Sequence, residues 1–269
     1  MAASAPGGAV FAPAADGLVA ATELARGPWN PGEAHGGAPA ALIAGAVEAV
    51  DQDFAVTRLA FDFFGPVPLD VPLRVTTELR RPGKRLQLVE AVLRGPDRDL
   101  MRAQAVLQRR SAQDAPPSPG PAAPPGHQGD FAEHPGLVLH ADDPDRPRGF
   151  FPDAMEIRVV DGAPGTGAAT AWFCLQADVL PGTPPSPVQR AVAAADFANG
   201  LSYRVPIAEW LFVNTDLTVH LSRDPVGKWI ALAARTDLGD AGAGLAAGTL
   251  FDERGRIGTV AQSLFVARR

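Results

Sequence analysis

The hydrophobic and polar residues of the chain alternate in short blocks that predict strands, and two longer apolar blocks predict helices. After a first strand candidate, LVAATELAR, the segment WNPGEAHGGAPAALIAGAVEAV passes from turn residues into a helix that is apolar nearly all round. Pro39 suits the first position of this helix. Four alternating or β-branched segments follow, separated by Gly-Pro or Pro-Gly pairs: VTRLAFDFF, PLRVTTELRR, LQLVEAVLR and LMRAQAVLQRR. This half of the chain therefore predicts one buried helix and an antiparallel meander.

The same order of elements recurs in the second half. MEIRVV and TAWFCLQADVL predict strands, and SPVQRAVAAADFANGLS predicts a helix with Ser186 as its N-cap and Pro187 at its first position. Four more strand candidates follow: NTDLTVHLS, KWIALAARTDL, GLAAGTLFD and GTVAQSLFVARR. We interpret the recurrence as a duplication.

The spacing between the copies supports this interpretation. Gln104 and Gln262 are 158 positions apart, whereas the helix-starting Pro39 and Pro187 are 148 apart. The second copy therefore has about ten extra residues between its helix and its next strand, around YRVPIAEWLF.

These patterns divide the chain into residues 1–110, a first repeat that begins with a loose Ala-, Gly- and Pro-rich lead-in, and residues 151–269, a second repeat. Residues 111–150 between them are predicted to form a Pro-rich linker. A strand, an apolar helix and a meander predict an α+β fold, in which each antiparallel sheet wraps around a long apolar helix.

Composition narrows the possible functions. With 46% hydrophobic and 20% charged residues, the 269-residue chain has the usage of a globular protein. No apolar run approaches the ~18 residues of a membrane span, and the N-terminus lacks the pattern of a secretory signal, so we expect a cytoplasmic protein. A net charge of −6 gives no basic surface for nucleic acid. The single cysteine, Cys174, is expected in the core, and the five histidines show no metal-ligand spacing, so we expect no metal or other cofactor.

One polar residue interrupts an apolar face of the last strand. In an alternating strand, Gln262 shares its face with three apolar residues: Val260, Leu264 and Val266. Gln104 occupies the matching place in the first repeat, where we interpret it as the remnant of a decayed site.

Three segments of the second half, AAADFANGLS, FVNTDLTVHLSR and GTVAQSLFVARR, resemble the acyl-CoA thioesterase II family of double hotdog enzymes in order and spacing. The resemblance implies two fused hotdog repeats whose sheets join edge to edge. In that family an Asp on the second helix, a Ser or Thr on the next strand and a Gln on the last strand hold and activate a water molecule. Asp196 and Gln262 match the first and third positions. At the middle position, two residues before Asp216, stands Asn214, with Thr215 beside it.

The resemblance implies hydrolysis of an acyl-CoA thioester, with four candidate catalytic residues: Asp196, Asn214, Thr215 and Gln262. Such hydrolysis needs a positioned water, a base and donors for the developing oxyanion. The segment EAHGGAP opens the first helix, where backbone N–H groups favour an anion. We therefore expect Gly36 and Gly37 to bind substrate together with His35, which is also able to act as an acid or base. By analogy with its fold, the protein is also expected to form a homo-oligomer.

Two other functions remain open at this point. An amide at position 214 is compatible with a non-catalytic protein that binds acyl-CoA or another acyl ligand after losing part of the triad. A hotdog dehydratase or hydratase would instead require a histidine beside a carboxylate, and the local candidate is His35 with Glu33.

Overall fold

The structure is a computed structural model that describes residues 8–111 and 147–269. Most of the predicted linker, residues 112–146, and the first seven residues of the predicted lead-in lie outside the described residues. The helices are α1 (Gly37–Glu48), α2 (Pro187–Ala195) and α3 (Ala198–Leu201). The strands of the first half are β1 (Phe11–Pro13), β2 (Val19–Ala21), β3 (Phe54–Phe63), β4 (Arg74–Arg81), β5 (Leu86–Arg94) and β6 (Asp99–Arg109). The strands of the second half are β7 (Met155–Ala163), β8 (Ala168–Leu175), β9 (Trp210–Asn214), β10 (Asp216–Leu221), β11 (Trp229–Leu238), β12 (Ala243–Asp252) and β13 (Gly255–Arg268).

One antiparallel sheet runs through both halves. Its strand order is β4-β5-β6-β3-β10-β13-β12-β11-β8-β7, with β9 also paired to β13, while β1 and β2 form a separate hairpin. The halves join edge to edge where β3 pairs with β10, and Ala60 lies opposite Thr218 at the centre of that pairing. These two residues are 158 positions apart, the repeat spacing, so each half contributes the same stretch of its strand to the joint.

The two main helices lie side by side and run in opposite directions. α1 contacts α2 and strands β3, β4 and β5, and α2 contacts β8, β10 and β11. The start of α1 meets the end of α2 so closely that a Cβ on Gly37 would lie 3.0 Å from the Ala193 carbonyl oxygen. Small residues permit this approach, since nine of the twelve residues of α1 are buried and four of those nine are alanine. No helix in the described parts of the chain is long and apolar enough to cross a membrane.

The second helix is shorter than predicted. The pattern predicted one helix through Ser202, but α2 ends at Ala195 and α3 begins only at Ala198. The N–H of Asn199 would bond the Ala195 carbonyl in a continuous helix, and here it donates to the side chain of Gln262 at 3.0 Å. The side-chain oxygen of Gln262 therefore replaces the backbone carbonyl oxygen that would accept this N–H in a continuous helix. The predicted start of this helix is confirmed, because Ser186 caps it in a reciprocal capping box and Pro187 follows.

The predicted loose lead-in is wrong for the residues just before the first strand candidate. Val10 and Phe11 are fully buried, and their N–H groups donate to the carbonyl oxygens of Asp178 and Val179 in the second half. The first strand candidate itself forms only the short β2 and a 3-10 turn, and it reaches the main sheet through a single bridge between Val19 and Leu73.

The two repeat-matched glutamines are not structurally equivalent. Ala60 pairs with Gln104, whereas Thr218, which matches Ala60, pairs with Ala261. The registers of the two halves thus differ by one residue, and a shift of one residue moves a side chain to the opposite face of a sheet. Gln104 is accordingly exposed, while Gln262 is fully buried.

The expected burial of Cys174 is confirmed. It lies in β8, and burial raises the pKa of its thiol to about 11. At neutral pH the side chain is therefore a thiol rather than a reactive thiolate.

An ion pair with a buried carboxylate stabilises the end of β12. The Asp252 carboxylate is fully buried and accepts hydrogen bonds from Arg223 at 2.6 Å and from the backbone N–H groups of Val226 and Arg254, both at 2.8 Å. Burial by itself would raise the pKa of Asp252, but the hydrogen bonds from Arg223 and the two N–H groups lower it below its ordinary value.

We predict that Asp252→Asn lowers the free energy of unfolding by about 3 kcal/mol at neutral pH, because Arg223 then lacks its carboxylate. A depressed folded pKa stabilises the fold above the unfolded value of about 4, and this stabilisation is lost as the pH falls through the folded pKa. The difference between wild type and variant should therefore shrink in acid. Urea unfolding across pH measures it, with the exposed turn variant Asp240→Asn as control. Equal stability of Asp252→Asn and wild type at pH 7 would contradict the prediction.

Candidate active site

Asp196, the residue directly after α2, has a side chain surrounded by hydrogen-bond donors. It is only 3% exposed. Its Oδ1 accepts from Asn214 Nδ2 at 2.8 Å and from Gln262 Nε2 at 3.1 Å. Its Oδ2 lies 3.0 Å from His35 Nδ1. A buried carboxylate requires such partners, and here three separate parts of the chain provide them.

Asn214 reaches the carboxylate because the strand is irregular at this point. In the first half β3 is continuous, but its counterpart is divided into β9 and β10 at Thr215. Asn214 pairs with Leu264 and Thr218 with Ala261, so the register along β13 shifts by one residue between them. A bulge of this kind redirects side chains, and it places Asn214 on the same face of the sheet as Gln262.

Thr215 is not brought to the site. Its side chain is exposed, and its hydroxyl donates to the Ser263 carbonyl oxygen at 3.3 Å. The polar side chain that takes the middle position of the network is therefore the amide of Asn214, and the hydroxyl beside it faces away.

A hydrogen bond from Asn199 fixes the orientation of the Gln262 side chain. Asn199 donates its backbone N–H to Gln262 Oε1 at 3.0 Å, which turns the amide NH₂ toward Asp196. The Asn199 side chain in turn donates to the Phe212 carbonyl oxygen at 3.3 Å. The sequence pattern did not single out Asn199, although it is a polar residue three positions after Asp196 in an otherwise apolar segment.

His35 belongs to the first half of the chain and also lies in the site. Its ring stacks on Phe197 at a centroid distance of 4.4 Å and lies 5.2 Å from the ring of Phe150. The side chain is 13% exposed, more than the carboxylate behind it. The network thus has a buried member, Asp196, and a member nearer to solvent, His35.

One proton must lie between His35 Nδ1 and Asp196 Oδ2, because two lone pairs at 3.0 Å would repel each other. The N–H of Gly37 also points toward Nδ1, at 3.1 Å, and would favour a lone pair there. A hydrogen bond to a carboxylate is roughly twice as strong as one between neutral groups, so we place the proton on Nδ1 and the lone pair on Nε2.

Two glycines make room for this network. A Cβ on Gly36 would lie 2.9 Å from Asp196 Oδ2 and 3.0 Å from the Phe63 ring, and one on Gly37 would lie 3.2 Å from Asp196 Cβ. The N–H of Gly36 donates to no atom of residues 8–111 or 147–269. It lies at the N-terminal end of α1, where peptide dipoles favour negative charge.

The residues that the structure describes include no group of three or more His, Cys, Asp or Glu side chains placed to hold a metal ion.

Comparison with known families gives matches over most of the chain. Residues 25–108 match the acyl-CoA thioesterase N-terminal domain, and residues 132–266 match the acyl-CoA thioesterase C-terminal domain. No curated protein matches the sequence.

Solved structures with the same fold cover nearly the whole chain. A protein from Novosphingobium aromaticivorans assigned as a thioesterase is 20% identical, with 95% of this chain and 98% of that chain covered and a TM-score of 0.71. A protein from Thermobifida fusca assigned as a thioesterase II is 15% identical, with 96% and 95% covered and a TM-score of 0.69. The acyl-CoA thioesterase II TesB2 from Mycobacterium marinum is 16% identical, with 92% and 96% covered and a TM-score of 0.65. At these identities the likeness shows the fold.

We predict that Gln262→Glu destabilises the protein by about 3 kcal/mol at neutral pH. Glu keeps the acceptor for the Asn199 N–H but puts a second carboxyl oxygen where the amide donor lies 3.1 Å from Asp196. Two carboxylates so close cannot both ionise, so the pKa of the new group is raised in the folded state. Stability is then lost as the pH rises above about 4, where an unfolded Glu ionises.

The matched control for this variant is Gln104→Glu, because Gln104 is exposed on the corresponding strand of the first half. Urea unfolding of both variants at acid and neutral pH measures the difference. Two results would contradict the hydrogen bonding described for Gln262. One is an equal loss of unfolding free energy in the two variants, and the other is a loss for Gln262→Glu that does not grow as the pH rises.

Proposed function

The chain belongs to the acyl-CoA thioesterase family, and we propose that it hydrolyses acyl-CoA thioesters at the site around Asp196, by attack of a water molecule that His35 activates. The observation that carries this proposal is the pairing of His35 with a buried, fully anchored carboxylate. Family membership supports acyl-CoA as the substrate class, and the geometry around Asp196 supports the roles proposed for the residues.

In this assignment Asp196 orients the base and is not itself the base. Its Oδ1 already accepts two N–H groups, and its Oδ2 lies against His35 and close to Gly36. With 3% of its surface exposed, the carboxylate has little room for a water molecule. A carboxylate in this position holds the imidazole in one tautomer and stabilises the imidazolium that forms during reaction.

His35 is the base in this assignment. The proton on Nδ1 faces Asp196, which leaves the Nε2 lone pair for a water molecule. Stacking on Phe197 fixes the plane of the ring. A base positioned within hydrogen-bond reach of the attacking water contributes about 100-fold or more to the rate.

The remaining groups hold the network and the substrate. Asn214 replaces the hydroxyl that the family has in the middle position, and it still supplies a donor to the carboxylate. Gln262 supplies the second donor. We assign the N–H of Gly36 to the thioester carbonyl oxygen, where negative charge develops during attack.

The reaction has two proton transfers. Water attacks the carbonyl carbon as its proton moves to His35 Nε2, and the carbonyl oxygen becomes an oxyanion. The oxyanion then collapses, the carbon–sulfur bond breaks, and the imidazolium returns the proton to the thiolate of CoA. The products are a carboxylic acid and free CoA.

We predict that His35→Gln and Asp196→Asn each lower kcat/KM for acyl-CoA hydrolysis by about 100-fold or more. The first removes the base, and the second removes the charge that stabilises the imidazolium. Release of free thiol from a panel of short-, medium-, long-chain and aromatic acyl-CoAs measures the rate. His220→Gln is the matched control, because His220 is exposed on β10.

Two results would contradict this function. If every thioester of the panel survives although binding is detectable, the protein is an acyl-CoA-binding protein and not a hydrolase. If hydrolysis occurs but His35→Gln and Asp196→Asn behave like His220→Gln, the chemistry takes place elsewhere.

Reversible addition of water to an enoyl thioester is the second candidate, because it also uses a histidine beside a carboxylate. The structure pairs His35 with Asp196 and not with Glu33, whose side chain accepts from Asn30 at 2.8 Å. The anchored Asp196 is poorly placed to exchange a proton with a substrate, so hydrolysis, which needs only His35 for both transfers, fits better. Interconversion of crotonyl-CoA and 3-hydroxybutyryl-CoA without release of thiol would favour this second candidate.

A further inference from the structure

A cavity of about 690 Å³ lies at the opposite end of the helix pair from Asp196. We call it the distal cavity. Part of its wall is the last turn of α1 with Glu48 and Ala49, and part is the segment that leads into α2, with Pro184 and Ser186. None of the candidate active-site residues lines it. α1 is about 18 Å long, and its second half, from Leu42 to Glu48, borders the cavity, whereas Gly37 in its first turn lies beside Asp196.

The distal cavity is the repeat-related counterpart of the candidate active site. Glu48 and Asp196 are 148 positions apart, the same spacing as Pro39 and Pro187. Each acidic residue lies at the end of its own helix and beside the start of the other one. Asp196 lies against the start of α1, and Glu48 accepts a hydrogen bond from the hydroxyl of Ser186 at the start of α2.

Apart from Asp196, which Glu48 matches, the polar side chains of the candidate active site have no like counterparts at the distal cavity. At the 148 spacing, Thr183 takes the place of His35. At the 158 spacing, Val56 takes the place of Asn214, and the first-half glutamine, Gln104, is exposed on the other face of the sheet. The distal cavity thus has the position of an active site without a base, which suits binding and not hydrolysis.

The charges around the cavity do not favour an anion. Arg110 lines the cavity, but both of its terminal nitrogens bond the carboxylate of Asp224 and its Nε donates to the Gln52 carbonyl oxygen at 3.3 Å. Glu48 adds a second carboxyl group, and its burial raises its pKa. The one guanidinium of the wall is therefore already paired, and the other ionisable side chain of the wall is the carboxyl group of Glu48.

The rest of the wall is largely apolar: Val19, Leu42, Phe54, Leu73, Val75 and Leu180. A volume of about 690 Å³ is within the range of sites that hold small molecules. The polar end, with Glu48, Ser186 and Gln189, offers both donors and acceptors to a ligand head group.

We propose that the distal cavity is a second, non-catalytic binding site for an uncharged aliphatic molecule whose polar head, such as a hydroxyl group, bonds Glu48 and Ser186. The aliphatic part lies against the apolar wall between α1 and β4. Because the site shares no residue with the one around Asp196, it does not depend on the proposed hydrolysis.

The test uses three probes of equal chain length: 1-octanol, octanoate and octylamine. Titration calorimetry at neutral pH measures their binding to the full chain, and the backbone amide signals of Gly17 and Gly45, which line the cavity, report the location. We expect 1-octanol to bind and to shift those signals. Octanoate should bind about tenfold more weakly or worse, because its charge would be buried beside the carboxyl group of Glu48.

Variants separate this site from the active site. Ala46 lines the cavity, and Ala46→Phe should fill it and abolish binding of 1-octanol, while Asp196→Asn should leave that binding unchanged. Glu48→Gln tests the head-group contact and should weaken binding. If Ala46→Phe does not fold, Ala49→Phe on the exposed rim replaces it.

Three results would overturn the proposal: no binding of 1-octanol up to its solubility, tighter binding of octanoate or octylamine than of 1-octanol, or binding that persists in the cavity-filling variant. None of them affects the hydrolysis proposal, which depends on His35 and Asp196. Conversely, 1-octanol should still bind to a protein that hydrolyses no thioester.

Discussion

The burial of one carboxylate, Asp196, determines much of the structure around it. A charged group with 3% exposure is stable only if donors surround it, and here the donors come from β9, from β13 and from the loop before α1. The same requirement explains Gly36, where any Cβ would meet the carboxylate. It also explains the break between α2 and α3, because the N–H of Asn199 anchors the glutamine that holds Asp196 and does not continue the helix.

The pairing of β3 with β10 connects this network across the two halves. Because the strands meet symmetrically at Ala60 and Thr218, the helices of the two halves lie antiparallel, and each helix end meets the start of the other helix. A histidine from the first half can then complete a site whose other members belong to the second. The two halves produce two such ends. One has His35, Asp196 and two amides, whereas the other has Glu48, Ser186 and a cavity.

Local patterns predicted the elements well where the sequence alternates or carries a cap. The bounds of β5 match the segment LQLVEAVLR, and the capping residues Ser186 and Pro187 begin α2 as expected. The family resemblance was confirmed, and it pointed to Asp196 and Gln262, which do lie together. The one-residue register difference that exposes Gln104 was not predictable, because it depends on strand pairing and not on spacing along the chain. Two other features also arise from tertiary contacts. The bulge at Thr215 brings Asn214 to the site and not its neighbour, and His35 pairs with Asp196 and not with Glu33.

We propose that His35 and Asp196 act as one unit in thioester hydrolysis, and a double-mutant cycle on kcat/KM measures whether they do. The four proteins are the wild type, His35→Gln, Asp196→Asn and the double variant, all assayed with the same acyl-CoA. If Asp196 acts only through His35, the double variant is no slower than the slower single variant. If the two losses multiply, the residues act independently, and Asp196 cannot be the group that orients the base.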